Sequence, residues 1–104
     1  MAQFDVFANP ITAARSAYPW IVGLQSELAS ASQDRIVAPL VPRESYPPTI
    51  GRLTPAVSVL ARDFVLLIPG LAGVPTRDLG EPVASLIDSR VEILAAIDYL
   101  FFGV

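Results

Sequence analysis

Ten prolines, all within the first 82 residues, constrain this chain more than any other feature. Proline removes a backbone donor and breaks helices, so it belongs at strand ends, sheet edges and turns. Most of the ten flank short apolar runs, and the chain up to there therefore divides into short strands. Residues 3–7 alternate polar and apolar, which predicts a strand with Phe4 and Val6 on one face and Asp5 on the other. Residues 9–17 read as a loop around Pro10, 20–26 as a second strand, 29–34 as a turn and 35–41 as a largely buried strand. Proline and polar residues at 42–54 predict a long surface loop. A hairpin over 56–60 and 64–68 follows, tipped by Ala61, Arg62 and Asp63, and then a short extended piece at 71–76.

The pattern changes at Glu81, after which only Pro82 and Gly103 interrupt a continuous helical sequence. Proline in a first turn costs nothing, because that N–H has no helical partner. Val83, Leu86, Ile87, Ile93, Leu94, Ile97, Leu100, Phe101 and Val104 recur at helical spacing and predict one apolar face over residues 82–102. Asp98 and Phe102, four residues apart, lie off that face, and Val91 and Ala95 extend their stripe. An exposed aromatic beside Gly103 would be an interface anchor, whereas a ring folded back onto the strands would be core.

The chain is 53% apolar and 16% charged, against roughly 45–50% and about 25% for an ordinary soluble domain. Either the core is unusually dense or some apolar surface meets another chain. At 104 residues the chain is expected to form one domain spanning 1–104. It has neither cysteine nor histidine. That removes disulfides, thiolate chemistry, the commonest general base and the commonest metal ligand. No catalytic motif is present, so no catalytic residue, metal or cofactor is expected. Asp88 and Glu92 read as a solvated helix face, and Asp34-Arg35 and Arg62-Asp63 as local ion pairs at turns. The net charge is −3, and the seven arginines are scattered without a basic stripe. A protein partner is expected rather than direct contact with nucleic acid. The longest apolar stretch, 64–74, is broken by Pro69, Gly70 and Gly73 and is too short to span a membrane. The N-terminus carries Asp5 where a signal peptide would carry a cation, which points to the cytoplasm.

The final run from Ala96 through Ile97, Asp98, Tyr99, Leu100, Phe101, Phe102, Gly103 and Val104 resembles the ending of the CcdB toxins, a helix closed by an aromatic, a glycine and an aliphatic residue. Gln3, Phe4 and Val6 resemble that family's first strand, and Tyr18 to Leu28 its second. Arg35-Ile36-Val37-Ala38-Pro39-Leu40 resembles the third strand, and Tyr46-Pro47 a loop motif. Val74-Pro75 and Leu79-Gly80-Glu81, with Val83, Ala84 and Leu86, resemble the approach to the helix.

The resemblance implies a mostly β (β+α) fold: an SH3-like antiparallel β-barrel with a small β wing and one C-terminal α-helix, assembled as a homodimer. It implies a toxin of a type II toxin–antitoxin module that inserts its C-terminal residues into the DNA gyrase A subunit and is removed by a cognate antitoxin. Carried over by position, the gyrase-binding residues would be Gln3, Phe4, Ser26, Leu28, Asp98, Phe102, Gly103 and Val104. Two positions depart from the well-studied form. Tryptophan, stacked on a gyrase arginine, is expected where Phe102 stands, and asparagine where Asp98 stands. Phenylalanine is the weaker cation–π partner, and a carboxylate cannot donate as an amide does. Two alternatives follow: a relative that has lost or changed its gyrase target, and an endoribonuclease of the MazF type, which shares the barrel.

Overall fold

The computed structural model describes residues 2–26, 33–46 and 51–103. Seven strands are present among them: β1 (Asp5–Ala8), β2 (Trp20–Gly23), β3 (Asp34–Pro42), β4 (Ala56–Val59), β5 (Arg62–Leu66), β6 (Ala72–Pro75) and β7 (Ala84–Ser85). They form one antiparallel sheet ordered β4-β5-β3-β2-β1-β7, with β6 also paired to β3. The sheet coils into a nearly closed barrel, and one C-terminal helix, α1 (Arg90–Phe102), packs against it. This is the fold class that the strand pattern and the resemblance predict.

Register explains why the strands read as continuous apolar runs. Val6 pairs with Val22, and Val22 with Ala38, on the face that fills the barrel with Leu40, Phe64 and Leu66. Phe7 pairs with Ile21 on the opposite face, and both join Val37 in a second cluster covered by Val74 and Leu79. Both faces of these strands are buried, so a simple inside–outside alternation is absent. β3 is the hinge of the sheet. Its first half pairs with β6 and its last residues with β5. Pro39 sits between those two ladders, where a missing N–H breaks no pair. Gly70 packs against it so closely that a Cβ there would lie 3.3 Å from the proline ring. The small wing is the β4–β5 hairpin, and it is joined to the barrel rather than apart. Its Val57, Val59, Phe64 and Leu66 belong to the main core.

Several boundaries differ from the sequence reading. The first strand begins at Asp5, because Phe4 takes a left-handed backbone (φ 68) and turns the chain. Asp5 is only 9% exposed and accepts a hydrogen bond from the Ala2 N–H, so it does not point to solvent. β2 ends at Gly23, short of Ser26. Arg35 is a strand residue, 2% exposed, not part of a turn. The expected turn over 29–34 lies mostly outside the described residues, as does part of the 42–54 loop.

The largest difference is in the helix, which starts at Arg90 and not near residue 82. Residues 84–85 are instead β7, paired with Asp5 and Val6, while the Val83 and Leu86 N–H groups donate to the Val6 and Phe4 carbonyls. That edge of β1 needs hydrogen-bond partners, and satisfying it outweighs the local helical periodicity. A 3-10 turn over Ile87–Ser89 then leads into α1. At the other end Gly103 (φ 74) closes α1 in the left-handed conformation, with its N–H on the Tyr99 carbonyl.

The β4–β5 hairpin is tighter than expected. Its loop is Leu60-Ala61 alone, both at positive φ (52 and 64), so Arg62 and Asp63 are already in β5. Arg62 pairs with Glu44 at 2.7 Å rather than with Asp63, and holds the Glu44 carboxyl below the usual carboxylate range. Two positive φ values define the two-residue hairpin turn that matches strand twist, a turn that favours Asn-Gly. Leu60 is 63% exposed and contributes no core contact that would be lost on substitution. Replacing Leu60→Asn together with Ala61→Gly should raise stability by about 1 kcal/mol, several degrees in Tm. A lower Tm for the double variant in thermal denaturation would contradict this assignment of the turn.

Candidate functional site

The residues picked out by sequence fall on two neighbouring segments and the end of α1. Gln3 is half-buried, and its Nε2 donates to the Leu24 carbonyl at 3.0 Å. The Phe4 N–H donates to the Gly23 carbonyl at 2.8 Å, so the N-terminal segment lies against the end of β2. Beyond it, Leu24 N–H donates to the Ile36 carbonyl, and Gln25 Oε1 accepts from the Ile36 N–H at 3.2 Å. These bonds extend the β2–β3 pairing and hold the segment that presents exposed Ser26. Phe4 differs from its companions. It is fully buried in the main core and has no surface to offer a partner. Leu28 and Val104 lie outside the described residues.

The end of α1 presents the other group. Ile93 and Ala96 seat the helix on the barrel, with Leu94, Ile97 and Leu100 packed beside them. Opposite them, off the core face where their spacing puts them, Val91, Ala95, Asp98 and Phe102 are exposed. Phe102 is 75% exposed, so the ring does not fold back onto the strands. Val83, Ile87 and Phe101 depart from the sequence reading, which places them on the core face: they are 40%, 51% and 61% exposed. Successive helical residues point about 100° apart, so Phe101 falls beside the seam that Ile93, Ala96 and Leu100 form with the barrel and not on it. The Phe-Phe pair directly before Gly103 was the available signal.

Phe101 also joins the two groups. It lines an apolar groove of about 330 Å³ with Leu24, Gln25, Ile36, Leu71 and Ile97. Gln25 supplies the only polar side chain in that lining, so the groove suits an aliphatic or aromatic occupant better than a polar one. On the other flank, Arg52 stacks over the Tyr99 ring at 4.0 Å from its centroid, pinning the loop before β4 to the helix.

The electrostatics of the helix end are one-sided. Asp98 lies near the negative end of the helix dipole, and the last turn contains no basic residue. Asp88, Glu92 and Asp98 form no ion pair among the described residues. The fold gains nothing from a carboxylate at 98, which makes it a residue to explain by what it faces. Among the described residues no three His, Cys, Asp or Glu converge to hold a metal, and no helix is long and apolar enough to cross a membrane. The arrangement is a surface for binding: an aromatic pair, an apolar groove and a carboxylate on a rigid helix end.

Compared with known families, residues 3–103 match the model described as CcdB protein.

The two phenylalanines proposed for the site give opposite expectations for stability. Phe102→Ala should shift Tm by no more than about 2–3 °C, since the ring is mostly exposed. Phe4→Ala should cost about 3–5 kcal/mol. A large loss in Tm for Phe102→Ala would place its ring in the core and remove it from the surface.

Proposed function

The chain belongs to the CcdB family, a class of non-enzymatic toxins of toxin–antitoxin systems, and on that premise we propose that it acts by binding the DNA gyrase A subunit and inhibiting or poisoning the enzyme. The observation that carries this reading is the aromatic pair at the end of α1, where Phe101 and Phe102 are 61% and 75% exposed on a helix held firmly to the barrel. A large apolar side chain left in water at a rigid terminus is a ready anchor. Its rotamers are few and its backbone is preset by the Gly103 closure, so little ordering entropy remains to oppose docking.

Phe102 presents a ring face to a cation of gyrase, with less area and quadrupole than tryptophan would give. Asp98, one turn earlier on the same side, adds a carboxylate acceptor to the same cation. Gln3, Ser26 and Gly103 complete the surface with Leu28 and Val104, while buried Phe4 acts by positioning Gln3 against Leu24. The contact set is thus Gln3, Ser26, Leu28, Asp98, Phe102, Gly103 and Val104. The chain works as a homodimer in this reading. A second copy covers the apolar groove around Phe101, which accounts for a composition greasier than one barrel requires. A cognate antitoxin competes for the same exposed surface, and the site of action is the cytoplasm.

Asp98 favours one other reading, in which the scaffold is kept but its gyrase target is lost or changed, because a carboxylate cannot donate to an acceptor on the target. A supercoiling and DNA-cleavage assay with purified gyrase separates the two. The native chain is expected to inhibit supercoiling or trap cleaved DNA, and Phe102→Ala to lose that effect by about tenfold or more. Silence from the native chain with activity from Phe102→Trp would establish the retargeted scaffold instead. Equal inhibition by the native chain and Phe102→Ala would contradict the tail as anchor.

A further inference from the structure

The outer side of α1 offers more than its tip. Val91, Ala95, Asp98 and Phe102 succeed one another at helical steps along the side opposite Ile93 and Ala96, and exposed Ile87 precedes them in the 3-10 turn before the helix. Ile87 is 51% and Val91 74% exposed, and Ala95 and Phe102 are exposed with them. The stripe does not stop at the helix start. Ile87 shares a recess of about 430 Å³ with Ala2, Gln3 and Ser85, so the surface runs from Gln3 to Phe102. At 1.5 Å per residue that is about 20 Å of helix side.

Charge decides what can cover it. Asp88 and Glu92 lie along one flank and Asp98 within the stripe, none of them in an ion pair among the described residues. Arg90 is the one basic residue between positions 82 and 103. It lies on the other flank, about 160° around the helix from Glu92. Arg52, beside the acidic flank, is stacked on Tyr99. A second copy packed here about a two-fold axis would bring these acids against their own images, a repulsive arrangement. Among the described residues the groove around Phe101 has no charged lining and carries no such penalty. The two exposed sides of α1 therefore suit different occupants.

We infer that the stripe from Ile87 to Phe102 docks a basic amphipathic helix of the gyrase A subunit, extending the contact down the whole outer side of α1. This rests on the gyrase reading above. Ala95 is small between Val91 and Phe102, so an aliphatic ridge can approach α1 closely there, while arginine or lysine beside that ridge meets Asp88, Glu92 and Asp98.

The test is the affinity of the intact chain for purified gyrase A subunit, measured by calorimetry at low and high salt. Four proteins are compared: the native chain, Phe102→Ala, the pair Ile87→Ser with Val91→Asn, and Glu92→Arg. Ile87 and Val91 are exposed, so the paired variant should melt like the parent and remain a dimer by light scattering. The inference expects it to weaken binding about tenfold or more. Glu92→Arg should weaken binding at low salt, with the difference shrinking at high salt. Native affinity in the paired variant, with binding lost in Phe102→Ala, would overturn the inference and leave the gyrase reading standing. A monomeric paired variant would assign the stripe to self-association and overturn it too. No binding by the native chain would overturn both.

Discussion

The edge of β1 governs how the rest of the molecule is arranged. Its backbone is completed by residues 83–86, through the pairs Asp5 with Ser85 and Val6 with Ala84 and the N–H bonds of Val83 and Leu86. Phe4 makes that junction possible. Its left-handed backbone donates to Gly23 on one side and accepts from Leu86 on the other, while its ring fills the core. One strained residue thus ties the N-terminus, the end of β2 and the approach to the helix together. Strain of this kind persists only where the surroundings over-determine it. Here a buried ring and two backbone bonds do so. The consequence is a helix that starts late and is aimed by the barrel.

How α1 is seated accounts for how the apolar residues are used. One side of α1, through Ile93, Ala96, Ile97 and Leu100, packs on the barrel. A second, around Phe101, opens into an apolar groove with Leu24, Ile36 and Leu71. A third carries Val91, Ala95 and Phe102 beside acids that form no ion pair among the described residues. In water alone this would be a costly helix, apolar nearly all round and with a carboxylate at the wrong end of its dipole. Two different protein partners, one a second copy and one an acceptor of negative charge, resolve the cost on the account proposed above.

Much of this was legible in the sequence, for identifiable reasons. Prolines marked the strand ends, and β3, β6 and the β4–β5 hairpin fall close to where the apolar runs placed them. Spacing puts Asp98 and Phe102 off the core face, while the choice between an exposed and a folded-back Phe102 ring is made only in the folded chain. What was not legible depended on tertiary hydrogen bonding. Ala84 and Ser85 look helical by period, yet the open edge of β1 claims them as a strand. Leu60-Ala61 carries no glycine or asparagine to announce a two-residue turn, so the tip was placed one residue late. Phe4 looks like a strand residue with a possible surface role, and only the folded chain shows it fully buried. Periodicity alone groups Phe101 with the core face, whereas in the folded chain it lies at that face's edge and is 61% exposed.

The most direct test of the central claim is hydrogen exchange of the intact chain, alone and bound to purified gyrase A subunit. The account predicts new protection at the Leu100 to Gly103 amides and around Leu24 to Ser26, with the β4–β5 hairpin unchanged. Protection gained instead along that hairpin, with the helix end exchanging as in the free chain, would contradict it.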